Sequence, residues 1–186
     1  MINSAAKFQE LRMAQSEAGM LYQDLVVDAF DVELKIPIQT YDSQHRQYAI
    51  GESRQGVEVK FDMRFVETGN LYVETAEKRE PRHGQHHPSG IYRRDNSWLY
   101  VIGDERFIFV FTRCELLRLH QVGEDGRRFR DVETDTSKGF LLPESAAREH
   151  KRLVLVPQLS TAEKKALDSM RRKTDEKWQA LQRTST

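Results

Sequence analysis

Gly56-Val57-Glu58-Val59-Lys60-Phe61-Asp62-Met63-Arg64-Phe65 alternates apolar and polar side chains from Val57 to Phe65. Successive side chains of a strand point to opposite faces. The pattern therefore predicts one strand, with Val57, Val59, Phe61, Met63 and Phe65 against a core and Glu58, Lys60, Asp62 and Arg64 on the other face. Glu58 and Lys60 become neighbours on that polar face. An ordinary half-exposed strand has the same pattern, so its meaning rests on what flanks it.

Upstream, residues 5–29 read as one helix. Phe8, Leu11, Ala18, Leu21 and Leu25 recur at helical spacing and no proline interrupts them. Glu10, Glu17, Asp24 and Asp28 form a solvated flank, from which Glu17 is the acid best placed to lean toward a site. From Asp31 the period shortens to two in Val32, Leu34 and Ile36, which predicts a strand ended by Pro37. Residues 40–43 then read as a turn or a strand end, and Gln47-Tyr48-Ala49-Ile50 as a second strand before Gly51.

Downstream, Thr68-Gly69-Asn70 is a turn signal and Leu71-Tyr72-Val73-Glu74 a further strand. Residues 76–90 hold Pro81, Pro88, Gly84 and Gly90 with few apolar side chains, which predicts an exposed loop, basic through Lys78, Arg79 and Arg82. Ser89 is placed to cap a short helical turn. Residues 98–102 and 107–111 are continuous apolar runs, as expected of strands buried on both faces. Residues 112–121 read as a helix stopped by Gly123. Phe140-Leu141-Leu142 and Leu153-Val154-Leu155-Val156 give short elements. A last helix starts at Thr161, capped by Ser160 or Thr161 with Glu163 in its first turn. The expected division is an α/β domain over 1–158 and an amphipathic basic helix over 159–186, carrying Lys164, Lys165, Arg171, Arg172, Lys173 and Lys177.

The chain's 186 residues suit one domain. Its 38% apolar and 31% charged residues describe a soluble globular protein. With 29 basic and 29 acidic side chains the net charge is zero, so the total argues for no class of partner and only the distribution of charge is informative. The single cysteine, Cys114, excludes an internal disulfide framework and reads as a small core residue in a reducing compartment. There is no secretory apolar segment and no run near the ~18 residues of a membrane span, so a cytoplasmic location without a membrane partner is expected.

Asp42, followed by Glu58-Val59-Lys60, resembles the signature of the PD-(D/E)XK nuclease superfamily, although no proline precedes the aspartate. Glu58-Val59-Lys60-Phe61-Asp62, Thr68-Gly69-Asn70-Leu71-Tyr72-Val73-Glu74, Pro88-Ser89-Gly90-Ile91 and the strand from Trp98 resemble a phage-associated branch of that superfamily, over roughly residues 15–120. The resemblance implies a restriction-endonuclease-like mixed β-sheet flanked by helices and a Mg²⁺-dependent (or Mn²⁺-dependent) DNA endonuclease, active in phage DNA replication, recombination or processing.

Phosphodiester hydrolysis needs a hard cation that neutralises a phosphate oxygen and acidifies a water, and Mg²⁺ takes one or two carboxylates beside waters and substrate oxygens. Asp42 and Glu58 would supply those carboxylates and the Val59 carbonyl a third ligand, with Glu52 the alternative to Asp42. Lys60 would orient the attacking water and stabilise developing charge. Asp62, Asn70, Glu74 and Glu17 are supporting candidates. Lys78, Arg79, Arg82, Arg93 and Arg94, with Arg127, Arg128 and Arg130 around Phe129, would hold DNA phosphates. His83, His86 and His87 lack a fourth zinc ligand and read as solvated loop residues. The competing expectations are a non-catalytic DNA-binding or phage assembly protein that keeps the fold, and a small phage or host interaction protein whose terminal helix packs against a partner or, as a homodimer, against a second copy.

Overall fold

Helix α1 (Ser4–Ala29) runs into a single π turn, Phe30–Leu34, closed by Lys35 in the left-handed region at φ 56°. In this computed structural model, which describes residues 4–78 and 84–182, the buried stripe of that helix is Ala14, Ala18, Tyr22, Val26 and Phe30, one residue every fourth position. Leu21 and Leu25 of the expected stripe are only half-buried. Phe30 extends the stripe by one more step, and burying such a side chain contributes about 2 kcal/mol. The strand expected at 31–36 does not form: Val32 is 61% and Ile36 49% exposed, so their alternation meets no core.

The second expected strand is also a helix, α2 (Gln44–Ile50). Ser43 caps it by accepting the Arg46 N–H, and Gly51 at φ 131° stops it. Between α1 and the quoted stretch the only β pairing among the described residues is an isolated bridge, Thr40 with Ser53.

The quoted stretch is a strand for its first half alone. Strand β1 (Val57–Phe61) ends where the Asp62 carboxylate accepts the Arg64 N–H and turns the chain into the short helix α3 (Phe65–Thr68). Val57 and Val59 pack on α1, as the alternation predicts. Phe65 belongs instead to the core on the opposite side of the sheet. Gly69, left-handed at φ 64°, caps α3 and starts β2 (Asn70–Glu77). Then follow β3 (His87–Pro88), a 3₁₀ turn at Gly90–Tyr92, β4 (Leu99–Gly103), β5 (Ile108–Thr112), α4 (Arg113–Val122), β6 (Arg130–Glu133), β7 (Ser137–Pro143), α5 (Glu144–His150), β8 (Leu153–Leu155) and α6 (Thr161–Gln182).

The chain is thus mixed α/β, with two four-stranded sheets ordered β1-β4-β5-β8 and β3-β2-β7-β6. In the first, β1 runs parallel to β4 while β4, β5 and β8 are antiparallel; the second is antiparallel throughout. The central strands β4 and β5 are apolar on both faces, for a reason visible in the packing. Val101, Ile108 and Val110 meet Tyr22 and Val26 of α1 and Phe30 of the π turn on one side. Tyr100, Ile102, Phe109 and Phe111 meet Leu71, Val73, Phe140 and Leu142 of the second sheet on the other.

Helix α6 begins with the capping box foreseen in the sequence: the Ser160 N–H donates to Glu163 at 2.8 Å and the Glu163 N–H to Ser160 Oγ at 3.2 Å. It lies along α1 and buries Leu167 and Thr174. Cys114, expected in the core, is exposed on α4. No helix among the described residues is long and apolar enough to cross a membrane.

Candidate functional site

Strand β1 is an edge strand, paired with β4 on one side only. Its open edge is taken up by a side chain: the Val59 N–H donates to Glu52 Oε2 at 2.9 Å. The N–H and C=O of one strand residue point to the same edge, so the Val59 carbonyl also faces that open side. Glu52 comes from the segment just before β1, held by the Tyr41 N–H on its carbonyl at 3.1 Å and by the turn that buries Ser53 and Gly56.

Lys60 gathers the acids. Its Nζ lies 2.7 Å from Glu58 Oε1 and 3.2 Å from Glu52 Oε1. The other oxygen of Glu58 accepts from Ser97 Oγ at 3.2 Å. Glu74, on β2 of the second sheet, accepts from Ser89 Oγ at 2.7 Å and adds its charge to those acting on Lys60. Lys60, Glu74, Gly90 and Tyr100 line an open cavity of about 210 Å³ bounded by β1, β4 and β2. Gly90, at φ 49°, is required there: a Cβ would stand 2.1 Å from the Glu74 carbonyl oxygen. Its own carbonyl accepts from the Tyr100 hydroxyl at 2.7 Å.

The electrostatics are uneven. Glu58 is 1% exposed, and burial alone would raise its carboxyl. Lys60, then Arg93 and Ser97, overcome that and hold it below the usual range. For Lys60, burial alone would favour the neutral amine, but Glu52, Glu58 and Glu74 together push the ammonium well above its ordinary value. Glu52 and Glu74 are raised, chiefly by burial, because the one ammonium cannot serve three carboxylates. Tyr72, also lining the cavity, is pushed up to about 12 by burial. The donor set of carboxylates and a backbone carbonyl contains only oxygen and carries more negative charge than Lys60 offsets. Both properties suit a hard divalent cation.

The structure thus brings together Glu58, Lys60, Glu74 and the Val59 carbonyl, and joins Glu52 to them. Asp42 is exposed in the bend before α2, and the charges that chiefly act on Lys60 are those of Glu52, Glu58 and Glu74. Glu17 is exposed on α1. Asp62 lines the cavity but does not touch Lys60 through a hydrogen bond of its own; its oxygens accept the Arg64 and Tyr72 N–H groups at 3.0 and 2.6 Å. Asn70 closes the turn before β2, donating to the Thr68 carbonyl at 2.6 Å. Ser89 and Ser97, the two hydroxyl donors to the acids, were not singled out for that role. Ser89 carried a capping signal, but the 3₁₀ turn that follows receives no bond from its side chain.

The basic candidates divide. Arg79 and Arg82, with His83, lie outside the described residues. Lys78 follows β2, its N–H on the Thr136 carbonyl. Arg93 is half-buried, donating to the Gln47 carbonyl at 2.7 Å and facing Asp95 at 3.3 Å. Arg94, Arg127, Arg128 and Arg130 are exposed. Phe129 stacks on Phe140 at 6.1 Å at the edge of the core, so the aromatic between those arginines serves packing. His86 faces Glu133 at 3.8 Å and His87 pairs in β3 with Glu77.

A second cation-capable group was invisible in the sequence, because its members come from the α4–β6 turn and from α5. Glu124, Glu149 and His150 each place a ligand atom within 4.8 Å of the others. Both His150 nitrogens already face carboxylates, Glu124 at 2.9 Å and Glu115 at 3.2 Å, so the group is closed by its own protein partners. No protein-family model, curated protein or solved structure matches this chain.

Proposed function

We propose that this chain is a Mg²⁺-dependent or Mn²⁺-dependent DNA endonuclease of the PD-(D/E)XK class, built on a restriction-endonuclease-like version of the mixed sheet. The observation that supports the reading best is the convergence of Glu52, Glu58 and Glu74 on Lys60 at the open edge of β1, with more acid than one ammonium offsets. Glu58, the Val59 carbonyl and Glu52 are the groups that would hold the cation, with Glu52 favoured over Asp42 by its place beside Lys60. The cation would supply Lewis acidity toward a phosphate oxygen and a water acidified enough to attack.

The chain's own groups supply the rest. As an ammonium, Lys60 would orient the attacking water and stabilise charge building on the phosphorane. Ser97 fixes the rotation of the Glu58 carboxylate, as Ser89 does that of Glu74. Arg94 and the exposed arginines after α4 provide contacts to the phosphate backbone that carry no sequence information.

The purified chain, incubated with plasmid DNA in Mg²⁺ or Mn²⁺, should nick or linearise it. Glu58→Gln and Lys60→Met should each lower the rate by at least about 10²-fold. Calorimetric titration of Mn²⁺ should show a site in the wild type that Glu58→Gln lacks. Cleavage by Glu58→Gln at the wild-type rate would falsify the assignment. Absence of both hydrolysis and specific cation uptake in the wild type would favour a binding protein that has kept only the fold.

A further inference from the structure

Trp98 is the one aromatic side chain among the exposed large hydrophobic residues described, with 55% of its surface open. It is nevertheless held firmly. Its indole N–H donates to the Gln55 carbonyl at 2.7 Å, and its backbone N–H to the Gly56 carbonyl at 2.9 Å. The ring edge lies so close over Gly56 that a Cβ there would be 2.7 Å from Trp98 Cδ1. Gly56, at φ 71°, thus serves both the turn into β1 and the seating of the indole. The one polar atom of the ring is satisfied and the ring is anchored along one edge, so exposing the rest of it has no local structural purpose.

Its position is informative. The preceding residue, Ser97, is the hydroxyl donor to Glu58. Leu99, the next, is the register partner of Val57. Arg54 and Arg94, both exposed, stand on the two segments that carry Gly56 and Trp98. An anchored, open indole one residue along the chain from a hydroxyl donor to Glu58, on segments that also carry the exposed Arg54 and Arg94, matches the requirements for a stacked base with its phosphates.

We propose that the open part of Trp98 is a stacking platform for an unpaired nucleobase, so that the site prefers single-stranded DNA over intact duplex. The inference rests on the nuclease reading for its ligand class. In a duplex each base is covered by its stacked neighbours, whereas an unpaired base offers its face to an aromatic ring. Because the indole is already fixed by Gln55 and Gly56, little freedom is lost when a base settles on it.

The test measures binding in Ca²⁺, separately from hydrolysis in Mg²⁺, using a fluorescently labelled single-stranded oligonucleotide and a blunt duplex of the same sequence. The full chain should bind the single strand more tightly than the duplex. Trp98→Ala should lose about 10-fold in single-strand affinity, with Trp98→Phe retaining most of it and duplex binding unchanged. The chain holds two tryptophans, so Trp178→Phe leaves Trp98 as sole reporter, and its emission should be quenched by the single strand without any change at the site. Equal loss for single strand and duplex in Trp98→Ala, or unquenched emission on a bound single strand, overturns the proposal. Quenching together with the selective loss, in a chain that hydrolyses nothing in Mg²⁺, would uphold the platform while removing the nuclease reading.

Discussion

The two ends of the polar face of β1 use the same kind of side chain in opposite ways. At one end, Glu58 is held by the Lys60 ammonium and the Ser97 hydroxyl, both of them side chains. At the other, Asp62 has both carboxylate oxygens on backbone N–H groups, those of Arg64 and Tyr72, while its own carbonyl takes the Phe65 N–H and its N–H reaches the Gly103 carbonyl. Partners on side chains can be exchanged for a cation or substrate without opening the backbone. Partners on the backbone cannot. Asp62 is therefore the joint that turns β1 into α3 and ties the first sheet to the second, and Glu58 is the acid whose partners can be exchanged.

The largest test of that contrast is to remove each acid in turn. Asp62→Ala orphans two backbone donors, the Tyr72 one half-buried, which should cost about 3 kcal/mol. For a chain of this size that is a fall of roughly 6–12 °C in Tm, with Mn²⁺ uptake by the folded protein retained. Glu58→Gln should stay within about 1 kcal/mol of the wild type, since Lys60 keeps Glu52 and Glu74, yet lose the cation site. Thermal unfolding with and without Mn²⁺ reads both. Loss of uptake in Asp62→Ala, or a Tm fall in Glu58→Gln as large as in Asp62→Ala, would erase the distinction between the two ends.

A smaller effect separates them by pH. Burial raises the Glu52 and Glu74 carboxyls above their ordinary value of 4.5. The folded chain therefore keeps protons that the unfolded chain has released, and stability from these two groups is full below 4.5 and lost as the pH rises through their raised folded values. Glu58 has the opposite sign: its lowered carboxyl contributes stability above 4.5 that disappears as the pH falls through its folded value. The Glu58 window lies below 4.5 and those of Glu52 and Glu74 above it, so above 4.5 these three groups together should make the cation-free site lose stability as the pH rises. Mg²⁺ should restore about 2 kcal/mol when well above its Kd, and more of it at about pH 8 than at about pH 5. A Mg²⁺ effect on Tm that is flat with pH, or equal in Glu58→Gln, would mean that the cation does not occupy this group.

What could be read from the sequence follows the range of the forces involved. The capping box at Ser160 and Glu163, the stop at Gly123 and the double-faced strands around Val101 and Phe109 are local or purely apolar, and they stand as expected. The alternation at Val32, Leu34 and Ile36 is not a strand, because only Leu34 packs on the core while Val32 and Ile36 stay exposed, and Phe30 continues the α1 stripe instead. At Gln47 to Ile50 a Ser43 cap and a Gly51 stop outweighed the strand pattern. In the site, Glu58 and Lys60 were legible because they share one strand. Glu52 entered only as the substitute for Asp42, since its reach to the Val59 N–H depends on how the turn at Ser53 folds back. Ser97 and Ser89 could not be assigned, because they reach Glu58 and Glu74 from connecting segments, 39 and 15 residues away in the chain.

The smallest test lies just beyond Asp62. Arg171 of α6 donates from Nη2 to both oxygens of Glu105, at 2.8 and 2.6 Å, and from Nε to the Met63 carbonyl at 3.1 Å. One guanidinium thus pins the terminal helix to the turn that Asp62 begins and to the β4–β5 turn beside it. Its side chain is 13% exposed and that of Glu105 14%, so the pair is sheltered enough to matter and open enough for water to reach the remnants. Arg171→Gln should cost about 1–2 kcal/mol, a few degrees in Tm, through the lost charge-assisted bonds. Because Met63 and Glu105 belong to the scaffold end, Mn²⁺ uptake and its pH dependence should not move. If Arg171→Gln weakened Mn²⁺ uptake, the clamp from α6 would be acting through Asp62 on Lys60, and the two ends of β1 would be one mechanical unit with the terminal helix as part of the site.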